Sequence, residues 1–147
     1  MRPGEAPPPA ADAPEPGAAA PADGAQVYAQ RCQSCHQANG EGMPPSFPPL
    51  VGSRWVTGAP EIPVRVVLAG LQGPIEVRGT TYQGAMPAWG PLLSDAEIAA
   101  VVSHVRALPG NGAPPVDAAL VARLRGEGRT APWTAAELEA ATAGAAP

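Results

Sequence analysis

Apolar positions recur at helical spacing in several stretches of the chain. Gly24–Gln33 sets Val27, Tyr28 and Arg31 at turn spacing ahead of Cys32, which predicts a first helix. Pro60 opens a second, Glu61–Leu71, with Ile62, Val66, Val67 and Leu71 as its apolar positions. The clearest pattern starts at Ser94. Ser94-Asp95-Ala96-Glu97 reads as a capping box, and Ile98, Val101, Val102, Val105 and Leu108 then share one face until Pro109-Gly110 stops it. Two shorter patterns follow, Asp117–Arg125 and Ala135–Ala143, the latter opened by a capping box from Thr134 to Glu137. Helices this short are not stable alone, so they must pack on the rest of the chain or fray. Ile75–Val77 and Thr80–Tyr82 flank Arg78-Gly79 and predict a small hairpin. Asn39–Ser53 is broken by Gly40, Gly42, Pro44, Pro45, Pro48, Pro49 and Gly52, which force a loop.

Composition changes this picture at one end. Of the first 24 residues, 18 are Pro, Ala or Gly, poor material for a core. Residues 1–23 therefore read as a disordered Pro/Ala-rich linker, fitting either a poorly ordered terminus or a tether left by a removed signal or a membrane anchor. What remains is one small domain with a single Phe, three Trp and two Tyr. A chain so poor in aromatic residues commonly needs a metal, disulfide or cofactor to complete its core. All nine basic residues are Arg, and the net charge is −4. With no basic stripe, nucleic-acid binding is not expected. No apolar run approaches the ~18 residues that would cross a bilayer.

The chemistry is concentrated in Cys32-Gln33-Ser34-Cys35-His36. Two thiols three residues apart can add to the two vinyl groups of one porphyrin, and the following His is then held beneath the iron. The alternatives are poorer. A thioredoxin-like redox pair wants a βαβ setting that is missing here. A zinc site needs four ligands, and beyond these three residues only His104 remains. A covalent haem would also supply the apolar body that the composition lacks, leaving the apoprotein largely unfolded.

A sixth ligand has three candidates: Met43, Met86 and His104. Met43 stands seven residues after His36 in the Pro/Gly loop and is expected at the haem rim. His104 falls mid-helix near the border of the apolar face, an ordinary boundary position. Met86 lies 50 residues after His36 in the uncharged segment 84–89, where a loop can lay a thioether across the far face with Pro87 limiting its motion. Met86 is favoured, which would give a His/Met iron of raised potential.

These residues carry a resemblance to the bacterial class I mono-haem c-type cytochromes. Gly24, Tyr28, Cys32, Cys35 and His36 resemble the family's opening motif, in which the Gly lets the first helix cross the last core helix closely. Pro48, Leu50 and Gly52 resemble its P-x-L-x-G, whose Pro carbonyl accepts a hydrogen bond from the proximal imidazole. Residues 70–87 and 93–101 are similar to the soluble cytochromes of thermophilic bacteria that donate electrons to a terminal haem–copper oxidase, and to haem domains of bacterial dehydrogenases. Trp55 resembles a position near the haem propionates, although a buried Trp with a satisfied indole fits equally. The family often carries Lys round the exposed haem edge; this chain has none, so a cationic docking ring is not expected.

The resemblance implies an all-α, cytochrome c-like domain wrapped round one covalent haem c at residues 24–110. A small β-hairpin and a helical extension at 111–147, packed on that domain, complete it. It implies haem contacts at Cys32, Cys35, Pro48 and Trp55, with His36 and Met86 on the iron. The protein is then a monomeric, periplasmic one-electron carrier rather than an enzyme, soluble or tethered. It serves a terminal oxidase or, alternatively, forms the electron-transfer module of a dehydrogenase or reductase complex. A haem sensor or peroxidase would require Met86 to be absent or displaceable. Residues 42–53 and 79–93 contain no charged side chain and form the expected docking surface.

Overall fold

The computed structural model describes residues 22–142; the linker expected at 1–23 lies almost wholly outside the described residues. Helix α1 (Gly24–Arg31) starts at Asp23, whose carboxylate accepts the amides of Ala25 and Gln26. The helix breaks at Cys32, and a single turn, α2 (Gln33–His36), follows. The expected helix 24–33 is thus two pieces.

A loop runs to Ser53, which caps the short α3 (Arg54–Thr57). Helix α4 (Glu61–Ala69) ends two residues earlier than its apolar spacing predicts, because Gly70 leaves helical geometry with φ 91°. Leu71 is therefore not helical but begins strand β1 (Leu71–Gln72). Strands β2 (Ile75–Val77) and β3 (Thr80–Tyr82) form the predicted hairpin, with Arg78 and Gly79 at φ 54° and 81° in its two-residue turn. Strand β4 (Ala85–Met86) pairs antiparallel with β1. That second two-stranded sheet adds to the mostly helical architecture, and two residues per strand carry no readable alternation.

The long helix α5 (Asp95–Arg106) opens with the expected capping box, Ser94 and Glu97 each satisfying the other's backbone amide. Its face of Ile98, Val101, Val102 and Val105 is buried. Helix α1 crosses α5 so closely that a Cβ on Gly24 would stand 2.1 Å from the Ala100 carbonyl oxygen. Helix α6 (Ala118–Arg125), capped by Asp117, buries Val121 and Leu124 in the same core. Helix α7 (Ala135–Thr142), opened by reciprocal Thr134 and Glu137 bonds, instead buries Leu138 in a second cluster with Trp55, Ile62, Ile75, Val77, Tyr82 and Trp133. Both tail helices pack rather than fray.

Two charged groups are drawn into the interior. Arg106, 3% exposed, donates through Nε to Pro114 O (2.7 Å) and through Nη1 to Val56 O (2.8 Å) and Gly58 O (3.1 Å). Asp95, 5% exposed, receives Arg125 Nε at 2.7 Å, and the same guanidinium reaches Gly90 O and Leu93 O. These hydrogen bonds offset the cost of taking the two charges out of water.

Candidate haem site

The two core clusters part to leave a cavity enclosing about 1250 Å³ of space, open mouth included. Cys32, Cys35 and His36 line it from α1–α2, Pro48 from the loop, Trp55 from α3, and Met86 from β4. Val101, Val102 and Val105 of α5, Val66 and Val67 of α4, Leu71, Ile75, Val77, Tyr82 and Leu138 complete an apolar wall. Among the described residues, no Asp, Glu, Lys or Arg lines it. The six site residues read from the sequence thus share one cavity, whereas Met43 and His104 do not line it. Met43 is 48% exposed, and His104 lies against Tyr28 with ring centroids 5.4 Å apart.

The chain fixes His36 from two directions. Its ring is 8% exposed, and Nδ1 stands 2.9 Å from Pro48 O. A carbonyl can only accept, so Nδ1 carries the hydrogen and Nε2 keeps its lone pair. Burial lowers the pKa of His36, opposed by the Pro48 bond that favours its charged form. The neutral ring is the form that can ligate a metal. The Pro48 carbonyl is itself placed by Gly42, where a Cβ would meet Phe47 O and Pro48 C at 2.5 and 2.6 Å. Tyr28 donates its hydroxyl to Gln37 O and so anchors the chain just beyond His36. Burial, then the nearby Cys32, pushes that phenol up to about 12.

Both cysteines are free thiols and half-buried. Burial, with Cys35 adding to it, raises the Cys32 thiol to about 11. Two free thiols at the rim of an uncharged, apolar cavity large enough for a macrocycle, with His36 beside them, fit a porphyrin held by two thioethers. Trp55 lines the cavity, but its indole N–H is committed to Glu76 O at 2.9 Å, with the Arg54 guanidinium 4.1 Å from the ring centre. Its indole is therefore satisfied by the protein itself.

Leu138 is a wall residue that sequence reasoning did not single out, and Leu71 is one it assigned to the apolar face of α4. Leu138 had a signal: it is the only large apolar residue of α7 and is completely buried. Leu71 continues the apolar spacing of α4, which points it to the helix surface instead of the cavity.

Comparison with known proteins agrees with this chemistry. Residues 19–105 match the family described as cytochrome c oxidase, cbb3-type, subunit III. Cytochrome c-552 of Thermus thermophilus is 42% identical over 121 residues, 76% of this chain and 91% of the relative. The cytochrome c-552 of a second strain of that organism is 43% identical, with 80% of the relative covered. The cytochrome c subunit of the quinone alcohol dehydrogenase of Gluconobacter oxydans is 37% identical over 74% of this chain, but only 23% of that protein is covered. A haem-binding Cys-x-x-Cys pair at Cys32 and Cys35, a mostly helical fold closed round an apolar cavity and these relatives place the chain in one family: it belongs to the class I c-type cytochromes, non-enzymatic carriers of electrons.

Proposed function

We propose that this cytochrome carries single electrons on a haem held by His36 and Met86, and delivers them to a terminal oxidase on the extracytoplasmic side. The observation that carries the ligand assignment is the shared cavity: His36 and Met86 come from segments 50 residues apart and reach the same uncharged space. Bound there, haem would supply an iron that gains and loses one electron, with a potential raised by the thioether. Pro48 holds the imidazole tautomer that leaves Nε2 free, and the apolar wall excludes water. With His36 and Met86 both engaged, a bound haem would offer no open site to a substrate, consistent with a carrier.

The proposed layout follows the same lines: residues 1–23 as linker, 24–110 as haem domain, 111–147 as an extension packed on it. No helix among the described residues is long and apolar enough to cross a membrane. Replacing Met86 by Ala tests the ligand. The sulfur-to-iron charge-transfer absorbance of the oxidised protein is expected to vanish; an unchanged spectrum would move the assignment to Met43 or His104.

Docking is assigned to the uncharged segments 42–53 and 79–93, which expose Met43 (48%) and Leu92 (61%). Without opposing charges to steer approach, the oxidation rate by the partner should vary only weakly with ionic strength. A stopped-flow series in which the rate collapses with salt would refute this. The similarity to a dehydrogenase's cytochrome c subunit supports a second reading, a tethered module within such a complex. Copurification of a dehydrogenase with the native protein would favour it over a free shuttle.

A further inference from the structure

Strand β1 is only Leu71–Gln72, yet it has a neighbour on each edge. On one side it pairs antiparallel with β4, placing Leu71 opposite Met86 and Gln72 opposite Ala85. On the other, Trp133 lies parallel to Leu71. The Trp133 amide donates to Gly70 O (2.9 Å), and the Gln72 amide donates to Trp133 O (2.8 Å). One residue, Leu71, therefore separates Met86 from the C-terminal tail. A ladder two residues long is marginal by itself, and a third strand is what stabilises such an array.

The tail residue is clamped in turn. The Trp133 ring, 8% exposed, lies between two guanidiniums, with Arg129 3.9 Å and Arg65 5.4 Å from its centre. Arg65 forms a two-point pair with Glu127 at 3.2 and 2.6 Å. Arg129 donates to Ala131 O, Pro132 O and Glu137. Gly84, Ala85, Pro87 and Ala88 on either side of Met86 are exposed, and beyond β1 the chain is next tied down at Trp89, whose amide donates to Val67 O (2.8 Å).

We propose that Trp133 is a positioning residue for the distal ligand, the C-terminal strap completing a three-strand array that holds Met86 at the iron. The proposal rests on the assignment of Met86 as that ligand. Loosening the strap raises the fraction of molecules with the thioether withdrawn, and an added ligand binds more tightly in proportion to that fraction. Trp133 is itself a core residue of the second cluster, so its loss also lowers stability; Val121 and Leu124 of the same tail pack in the other cluster and give a control for that part of the effect.

The test uses the full-length oxidised holoprotein, titrated with imidazole while the sulfur-to-iron absorbance is followed. Trp133→Gly is expected to tighten imidazole binding by about tenfold and weaken the absorbance, whereas Trp133→Phe stays within about twofold of the parent. Val121→Ala is expected to unfold at lower denaturant concentration with imidazole affinity unchanged. The proposal fails if Trp133→Gly keeps both parent affinity and absorbance, or if Val121→Ala shifts imidazole binding as far as Trp133→Gly does. Met86→Ala separates the two assignments. If it leaves the absorbance intact, the ligand reading itself is wrong. If it abolishes the absorbance while Trp133→Gly changes nothing, only the strap proposal is overturned.

Discussion

Adding one methyl group at Gly24 probes the contact on which the helical frame is built. A Cβ there would stand 2.1 Å from Ala100 O, 2.7 Å from Ala100 C and 3.0 Å from His104 Cβ. The first two are backbone atoms and cannot swing away, so α1 must lift from α5 or tilt. Overpacking of this kind costs roughly 1–3 kcal/mol, and a backbone obstacle belongs at the upper end. Against it, Ala is intrinsically better than Gly in a helix by up to about 1 kcal/mol. Gly24 has ordinary helical geometry, so no further conformational strain enters. The net expectation is a loss of about 2 kcal/mol, a melting temperature lower by roughly 8 °C for a domain of this size. Thermal unfolding of the Gly24→Ala holoprotein, followed by far-ultraviolet circular dichroism, reads it directly, and Gly24→Val should be worse. A Gly24→Ala protein that melts at or above the parent temperature would refute the reasoning, since only the helix-propensity gain would then remain.

Other perturbations test other parts of the structure. Leu138 is completely buried beside the cavity, so Leu138→Ala should cost about 2–5 kcal/mol in denaturant unfolding; a smaller loss would mean that the strap collapses into the space. The Thr134 amide, then Arg129, hold the Glu137 carboxyl below the ordinary glutamate range. A depressed acid contributes stability above its unfolded value and loses it as pH falls through the folded one. Helix α7 should therefore fray under acid, seen as faster amide hydrogen exchange at residues 135–142, and Glu137→Gln should remove that dependence.

How far the sequence reached depended on how local each signal was. The α5 capping box and its apolar face depend on neighbours within a few residues, and both appear as read except that the helix ends at Arg106, leaving Leu108 buried just beyond it. The hairpin turn was legible for the same reason: Arg78-Gly79 sits between two short alternating runs. The Cys-x-x-Cys-His spacing is chemistry written into consecutive residues. What was hidden depends on partners far along the chain. Leu71 keeps step with the apolar positions of α4, but Gly70, at φ 91°, ends the helix before it, and Leu71 goes instead to the strand opposite Met86. Trp133 reaches β1 from 62 residues away through backbone bonds that leave no trace in side-chain pattern. The Trp55 indole satisfies itself on Glu76 O, a partner that no spacing rule identifies.

Arg106 has a consequence for how the molecule comes apart. Its guanidinium fastens the chain at Val56 and Gly58 on one side and at Pro114 on the other, all through main-chain oxygens. A lysine offers one compact ammonium and could not span those three oxygens with the same fork. Detaching any one strand of this knot leaves a desolvated cation short of acceptors, so the segments either side of α5 gain nothing by loosening singly. They release together or stay shut, so heat opens this middle of the molecule in one step even where the C-terminal helix has already frayed.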